Sequence, residues 1–389
     1  MVYRNAILLG LCQFLLMVSV AVGLSFNGLI GKAMSPSLAL ATLPYLTMTL
    51  TSAALTLLLP RIFARFGYAC SFAIGAALGV AGSLTAALGI WLGSFFIFCA
   101  AGVLMGAYQA SALYYRFAAA DSVTAQNQKS TAIAWVLNGG ILAALLGPLL
   151  ASNSVHWFEP DYLGSYIACA IIVILALPIT LFMRLPDRQP VPAFTIPFST
   201  VLAFPTAKAA ILFCAGSYAM MMLVMLASPL AMDHCGYSAA DAASVIQWHL
   251  LGMFAPSLLT GKLIARWGAL PVAGCGAIVL IFGCVIALSG IQLHYFHWAL
   301  LLVGIGWNFM YMGGSTIITQ INDVSLRLRL QSLNEFITFA VMTITAGTTG
   351  WLFAHLEWGG VLVVAAAFIG VMALFIIFER WQGNKKVTV

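Results

Sequence analysis

Long apolar runs, separated by short polar segments, follow one another along the whole chain. A helix needs about 20 predominantly apolar residues to cross the hydrocarbon core of a bilayer. The pattern therefore predicts an all-α integral membrane protein with twelve transmembrane helices. These predicted spans are residues 6–30, 38–59, 68–90, 94–116, 130–151, 163–183, 209–232, 241–265, 270–290, 297–320, 332–354 and 360–379.

The chain repeats itself at half its length. Residues 57–67 read LLLPRIFARFG and residues 258–268 read LLTGKLIARWG, which aligns Arg65 with Arg266 at a separation of 201 residues. Each segment lies between two apolar runs, the second and third in one half and the eighth and ninth in the other. The repeat predicts two pseudo-symmetric bundles of six helices each.

The predicted division of the chain follows from this repeat. Residues 1–184 form the N-terminal six-helix bundle, residues 209–389 form the C-terminal one, and residues 185–208 form a cytoplasmic linker. Proline removes a backbone donor and interrupts helices, so a proline-rich linker favours an extended connection. The linker prolines are Pro186, Pro190, Pro192, Pro197 and Pro205.

Composition and charge agree with a chain surrounded by lipid. Hydrophobic residues make up 63% of the chain and charged residues only 7%, whereas soluble domains carry about 25% charged residues. With the N-terminus inside, 15 of the 16 lysines and arginines fall on the cytoplasmic side, and Lys32 is the exception. This bias predicts a multi-pass membrane protein with both termini cytoplasmic; we further expect its location to be the bacterial inner membrane. The bias also accounts for the net charge of +6 without a nucleic-acid partner.

Two predicted spans carry soft metal ligands one turn apart. Met221 and Met225 lie on the seventh span, and His249 and Met253 lie on the eighth. Residues four apart share one helix face, and thioethers favour Cu(I) while imidazole also accepts copper. From the predicted outer ends of the two spans, Met225 and His249 lie 7 and 8 residues in, while Met221 and Met253 lie 11 and 12 residues in. The matching depths suggest a copper path through the membrane.

The whole chain resembles the major facilitator superfamily. That family has twelve helices in two similar bundles, with a basic, glycine-containing loop between helices 2 and 3 that recurs between helices 8 and 9. Here Pro60 and Arg61 stand where the family loop normally carries an aspartate before the basic residue. The resemblance implies a substrate site near the midplane, between the halves, and alternating access.

Within the superfamily, the paired methionine and histidine motifs look like those of the CcoA-type copper importers. This resemblance implies that Met221, Met225, His249 and Met253 bind copper, and that the copper is supplied for assembly of cbb3-type cytochrome oxidase. It also implies a role for two cysteines, of which Cys235 and Cys214 are the candidates.

If copper is the cargo, the ligands suggest a relay from an outer mouth to the cytoplasmic side. Met232, His234 and Cys235 would capture Cu(I), and Cys214 would lie toward the exit. The alternative for the mouth is an ordinary polar loop in which Asp233 or Asp241 caps the eighth helix. Cys214 could equally be a small buried hydrophobe.

The other candidates have structural alternatives as well. Methionines in membrane helices are usually packing residues, and His249 could instead hydrogen-bond a neighbouring helix, for example at a backbone carbonyl. Glu335 is the only acid predicted within a span, which makes it the candidate for ion coupling. Its alternative is a salt bridge with Arg327 or Arg329.

A second set of residues suits a different cargo. Asn138, Trp307, Asn308 and Tyr311 could line a pathway for a planar organic solute such as riboflavin or a drug, because aromatic rings stack on flat heterocycles. A third hypothesis is a membrane copper sensor or assembly factor that binds metal without moving it.

No nucleotide-binding or hydrolase motif occurs in the sequence, so we expect a transporter rather than an enzyme. We further expect a monomer whose partners are copper, as cargo, and the lipid bilayer, without a resident cofactor.

Overall fold

The computed structural model describes residues 3–56, 58–123, 126–185, 197–202, 205–321 and 323–387. Throughout these ranges the regular structure is helical. The α-helices are α1 (Arg4–Met34), α2 (Leu43–Thr56), α3 (Leu59–Trp91), α4 (Phe95–Ala112), α5 (Tyr115–Asp121), α6 (Gln126–Ser154), α7 (Leu163–Ile174), α8 (Ala176–Leu181), α9 (Phe198–Leu202), α10 (Pro205–His234), α11 (Ala239–Phe254), α12 (Ser257–Trp267), α13 (Ala269–Leu288), α14 (Leu293–Thr319) and α15 (Val324–Val387).

The helices provide the twelve crossings that the apolar pattern predicts. Within the described ranges, eleven helical segments are long and apolar enough to span a membrane, and the last of them, Arg329–Leu374, has 46 residues. A straight helix of that length would extend about 69 Å, roughly twice the hydrocarbon thickness. Its helical geometry is interrupted at Glu357, whose φ is 56°. The break falls between the eleventh and twelfth predicted spans.

The internal repeat is visible in the backbone. Gly67 interrupts α3 with φ 73° and ψ 167°, and Gly268 separates α12 from α13 with φ 90° and ψ 158°. These glycines end the two repeated segments, 201 residues apart. Side chains rarely tolerate this conformation, so glycine is needed at both positions. The repeat therefore encodes the same sharp break in each half.

Close backbone contacts hold helices together within the N-terminal half. A Cβ atom added to Gly139 of α6 would lie 2.2 Å from the Gly10 carbonyl oxygen of α1. One added to Gly106 of α4 would lie 2.3 Å from the carbonyl oxygen of Met48 on α2. Small residues permit such approaches in membrane helices.

The described residues fall into two compact units. The first comprises those within Met1–Val191, Met232–Gln247 and Ala346–Trp351, and the second those within Pro192–Ala231, Trp248–Thr345 and Leu352–Val389. The predicted division at the linker stays a prediction, because residues 186–196 and 203–204 lie outside the described ranges.

Candidate functional site

His249 lies deep in the second unit, where α11 packs against α14. The two backbones approach closely because both helices carry glycine at the crossing: a Cβ on Gly304 would lie 2.4 Å from the His249 carbonyl oxygen, and one on Gly252 would lie 2.4 Å from that of Leu301. The His249 side chain is fully buried. Its Nδ1 lies 2.8 Å from the carbonyl oxygen of Leu300. The expected hydrogen bond to a neighbouring helix is therefore present.

This hydrogen bond fixes the tautomer of His249. A carbonyl oxygen can only accept, so Nδ1 carries the proton and donates it, and Nε2 keeps its lone pair. Nε2 is buried and has no hydrogen-bond partner among the described residues. A neutral imidazole with an available Nε2 lone pair is the form that binds a metal ion.

Asn308 of α14 is already committed to structural hydrogen bonds. Its Nδ2 donates to the carbonyl oxygen of Met253 at 2.8 Å, and its Oδ1 accepts from the hydroxyl of Thr260 at 2.6 Å. Met253 belongs to α11 and Thr260 to α12, so Asn308 bonds both helices of the eighth crossing. Its role in a substrate pathway stays a prediction, but its described contacts are those of a helix-positioning residue.

Three aromatic rings form a cluster on α10 and α14, named here the aromatic panel. Trp307 and Tyr311, one turn apart on α14, stack with ring centroids 5.2 Å apart and planes inclined by 8°. Tyr218 of α10 meets both rings edge-on, at 5.1 and 5.2 Å. Edge-on and stacked contacts are both favourable aromatic geometries. Trp307 is buried, and its Nε1 donor has no partner within the described part of the chain.

The contacts of the panel set the register between α10 and α14. Tyr218 faces Trp307 and Tyr311, while Cys214, one turn before Tyr218, has its Sγ 3.7 Å from the Ser315 hydroxyl, one turn after Tyr311. The position along α14 rises as that along α10 falls. The two helices therefore run antiparallel.

This register brings the outer methionine level with the histidine. Met225 lies seven residues beyond Tyr218 on α10, and Leu300 lies seven residues before Trp307 on α14. Both steps cover about 10 Å of helical rise. Because Leu300 accepts the hydrogen bond of His249, this register places Met225 and His249 at about the same level; their role as metal ligands stays a prediction.

The same reasoning applies one turn further in. Met221 lies three residues beyond Tyr218, and Gly304 lies three residues before Trp307. A Cβ on Gly304 would lie 2.9 Å from the backbone nitrogen of Met253. Met221 and Met253 are thus level as well, and both are buried.

Several polar groups lie around Cys214 near the inner end of α10. Besides Ser315, its Sγ lies 3.7 Å from the carbonyl oxygen of Tyr311. The side chain of Asn334 is a further hydrogen-bonding neighbour, and the carboxylate of Glu335 is close enough to act on the thiol electrostatically. Cys214 itself is fully buried, so it could bind a metal only where this packing opens.

The predicted outer mouth divides between buried and exposed groups. Met232 is fully buried, while His234 and Cys235 are exposed. Asp241 accepts hydrogen bonds from the backbone N–H and hydroxyl of Ser238, at 3.0 and 2.6 Å, and donates its own N–H to that hydroxyl at 3.1 Å. This reciprocal arrangement caps the start of α11, which confirms the capping alternative for Asp241.

A metal site at His249 would have to use methionine sulfur as a ligand. Among the described residues, no group of three or more histidine, cysteine, aspartate and glutamate side chains is placed to hold a metal ion. A site at His249 would therefore need thioether ligands. Asn138 lies on α6 in the first unit and is exposed; its role stays a prediction.

Sequence reasoning missed Tyr218, Asn334 and Thr338. Tyr218 completes the aromatic panel, and both Asn334 and Thr338 are buried. The i, i+4 spacing of Asn334 and Thr338 within an apolar span was a usable signal, because two polar side chains then share one helix face. The position of Tyr218 needs the register between α10 and α14, which the sequence does not contain.

A repeated fold of apolar crossings, with polar and aromatic groups buried within the spans, is typical of secondary transporters. The family model of the Major Facilitator Superfamily matches residues 9–323. The chain therefore belongs to the Major Facilitator Superfamily. A bacterial homologue of the human lysosomal transporter Spinster, solved in an inward-facing and unoccupied conformation, has the same fold with a TM-score of 0.71 at 16% identity over 97% of both chains. The nucleoside transporter NupG gives a TM-score of 0.69 at 15% identity, over 97% of this chain and 99% of NupG.

Relatives with closer sequences are also transporters. Riboflavin transporter RfnT of Brucella anthropi is 36% identical over 364 residues, covering 91% of this chain and 90% of RfnT. The uncharacterized MFS-type transporter YddS of Bacillus subtilis is 26% identical over 395 residues, covering 92% of this chain and 87% of YddS. The superfamily prediction is confirmed, whereas these relatives do not support the narrower resemblance to CcoA-type copper importers.

Proposed function

We propose that the chain transports a planar heterocyclic solute of the riboflavin type across the bacterial inner membrane by alternating access. The similarity to RfnT along nearly the whole chain supports this choice over copper. The proposal takes over the orientation inferred from the basic residues, with both termini cytoplasmic. It requires one copy of the chain and no resident cofactor.

The aromatic panel is the observation that carries the proposal. The rings of Trp307 and Tyr311 are nearly parallel and stacked, and Tyr218 contacts both edge-on. Flat heterocycles bind to such surfaces by offset stacking, which contributes about 0.5–1.5 kcal/mol for each aromatic pair. The panel also lies within the membrane-spanning parts of α10 and α14, where a transported solute must pass.

Uptake of radiolabelled riboflavin by proteoliposomes containing the purified protein tests the proposal. Trp307→Ala and Tyr311→Ala should each lower uptake about tenfold, because a lost stacking contact of about 1.4 kcal/mol corresponds to one order of magnitude. Trp298→Ala is the matched control, since Trp298 lies on the same helix but is 54% exposed. Uptake no greater than in protein-free liposomes would reject the proposal.

Import of Cu(I) is a second candidate, supported by a different observation. The Nδ1 proton of His249 is donated to Leu300, which leaves the buried Nε2 lone pair available, and the register of α10 and α14 places Met225 at about the level of His249. One imidazole and two or three thioethers would select Cu(I) and still release it.

The same proteoliposomes separate the two cargoes. Copper import predicts that His249→Ala, or the pair Met221→Ala and Met225→Ala, abolishes radio-copper entry while the panel variants retain it. Riboflavin transport predicts the opposite sensitivity. Saturable copper binding without entry into the lumen would instead indicate a sensor or assembly factor.

A further inference from the structure

Several buried polar atoms in the second unit have no hydrogen-bond partner among the described residues. Three of them are Nε1 of Trp307, Oδ1 of Asn334 and Oγ1 of Thr338. The relative exposures of the three residues are 6%, 3% and 3%. Leaving a buried polar group unsatisfied costs free energy, and apolar side chains of similar shape would avoid that cost. Such groups at these positions therefore need a reason beyond packing.

The polar face of α15 adjoins the helices that carry the aromatic panel. Asn334 and Thr338 are four residues apart and so share one face of the helix. Asn334 neighbours Cys214 of α10, and Cys214 lies 3.7 Å from both the Ser315 hydroxyl and the Tyr311 carbonyl of α14. Asn334 thus lies beside α10 where α10 meets α14, and Thr338 follows one turn further along the same face of α15.

The levels along the helices also correspond. Consecutive crossings run in opposite directions, so one turn forward on α15, from Asn334 to Thr338, matches one turn back on α14, from Ser315 to Tyr311. Thr338 therefore lies at about the level of the Trp307–Tyr311 stack. An indole N–H, an amide oxygen and a hydroxyl are available near one flat aromatic surface.

We propose that Trp307, Asn334 and Thr338 form the hydrogen-bonding edge of the substrate site and recognise the pyrimidinedione ring of a flavin-like heterocycle. This inference rests on the proposed function. Such a ring presents a carbonyl, an imide N–H and a second carbonyl along one edge. The indole N–H and the threonine hydroxyl can donate to the carbonyls, and the Asn334 amide oxygen accepts from the imide N–H.

The burial of these atoms fits the transport cycle. A transporter that works by alternating access exposes its binding groups in only part of the cycle. Buried groups built to hydrogen-bond a substrate discriminate strongly against analogues that lack the matching atom, because the site is then left unpaired. The hydrogen-bonding edge of the site would accordingly determine specificity, while the aromatic panel would determine affinity for any flat ring.

The test compares riboflavin with its N3-methyl derivative, which lacks the imide N–H, in proteoliposome uptake. The unaltered protein should take up riboflavin at least about tenfold faster than the derivative. Asn334→Leu should lower riboflavin uptake and reduce that preference to about one. Thr338→Val should lower uptake of both compounds. Thr343→Val is the matched control and should change neither rate, because the Thr343 hydroxyl is already bonded to the Phe339 carbonyl at 2.8 Å.

The outcomes distinguish this inference from the proposed function. If Asn334→Leu takes up riboflavin with an unchanged preference over the N3-methyl derivative, the proposed hydrogen-bonding edge is wrong, while the proposal of flavin transport stands. An absence of riboflavin uptake in the unaltered protein would overturn the proposed function itself. If Asn334→Leu fails to insert in the membrane, Asn334→Asp, which keeps an acceptor oxygen and the side-chain size, should retain the preference for riboflavin over the N3-methyl derivative.

Discussion

His249 and Cys235 are both potential ligands for soft metals, yet their surroundings are opposite. His249 is fully buried and committed through Nδ1, whereas Cys235 is an exposed free thiol after the end of α10. Solvent accessibility therefore distinguishes the two residues: a solute can contact Cys235 before it enters the span, whereas it can contact His249 only within the span.

The exposed thiol of Cys235 provides a test of orientation. A membrane-impermeant maleimide added outside spheroplasts should label the protein at Cys235, and Cys235→Ser should abolish the labelling. Partial burial raises the pKa of this thiol, so the increase of the labelling rate with pH should occur at a higher pH than for a free cysteine. Labelling only after the membrane is permeabilised would place this loop in the cytoplasm and reverse the predicted topology.

At the residue scale, the sequence indicates the depth of a side chain along its span, but it does not indicate which hydrogen bonds that side chain makes. Counting residues along the spans predicts that Met225 lies level with His249, because depth follows from helical rise. It could not reveal that both ends of the Asn308 amide bond other helices. Hydrogen-bond partners depend on which helices are neighbours, and that information lies outside any single span.

Among the elements, α14 is the helix around which the second unit is organised. Glycine at Gly304 and Gly276 lets α11 and α13 approach it: Cβ atoms there would lie 2.4 Å from the His249 carbonyl oxygen and 2.6 Å from the Met310 backbone nitrogen. Such contacts allow van der Waals packing where lipid supplies no hydrophobic force between helices.

Gly304→Ala should therefore destabilise the protein. The new methyl group would meet backbone atoms that cannot move aside, at an expected cost of about 1–3 kcal/mol. Gly274→Ala is the control, because a Cβ there meets nothing within 4 Å. It should leave the melting temperature in detergent unchanged or slightly raised, since alanine favours helix over glycine. Equal melting temperatures for the two variants would contradict the close contact of α11 and α14.

Element boundaries were not predictable where a crossing is interrupted, and in one crossing a proline lies at the break. The eighth predicted span, residues 241–265, consists of α11 and α12, with Pro256 at the junction. Proline has no N–H to continue the helical ladder. An apolar count cannot register that break, because the chain remains equally hydrophobic on both sides of it.

At the scale of the whole molecule, Lys32 connects the charge distribution of the chain with the packing of two helix ends. This residue is the one basic group predicted outside, and it forms an ion pair with Asp233. The pair joins the end of α1 to the end of α10 within the first compact unit. Both side chains remain partly exposed, so the pair contributes little to overall stability. Its expected effect is on the distance between these helix ends.

A charge swap tests this effect. Spin labels on cysteines introduced at Ala33 and His234, in a background in which the exposed Cys70, Cys235 and Cys275 are replaced by serine, should give a single short distance in the unaltered pair. Lys32→Glu should add a longer population through like-charge repulsion, and the double variant Lys32→Glu with Asp233→Lys should restore the short one. High salt should reduce the effect by screening. Identical distance distributions in all three proteins would show that the ion pair does not hold this end.

The hydrogen bonds of Asn308 have a mechanical consequence. The eighth crossing is broken at Pro256, and a broken helix can swivel at the gap. Asn308 hydrogen-bonds to the crossing on either side of that gap, at Met253 and at Thr260. These two bonds together fix the angle between α11 and α12. Loss of either bond would make the junction at Pro256 a hinge close to His249.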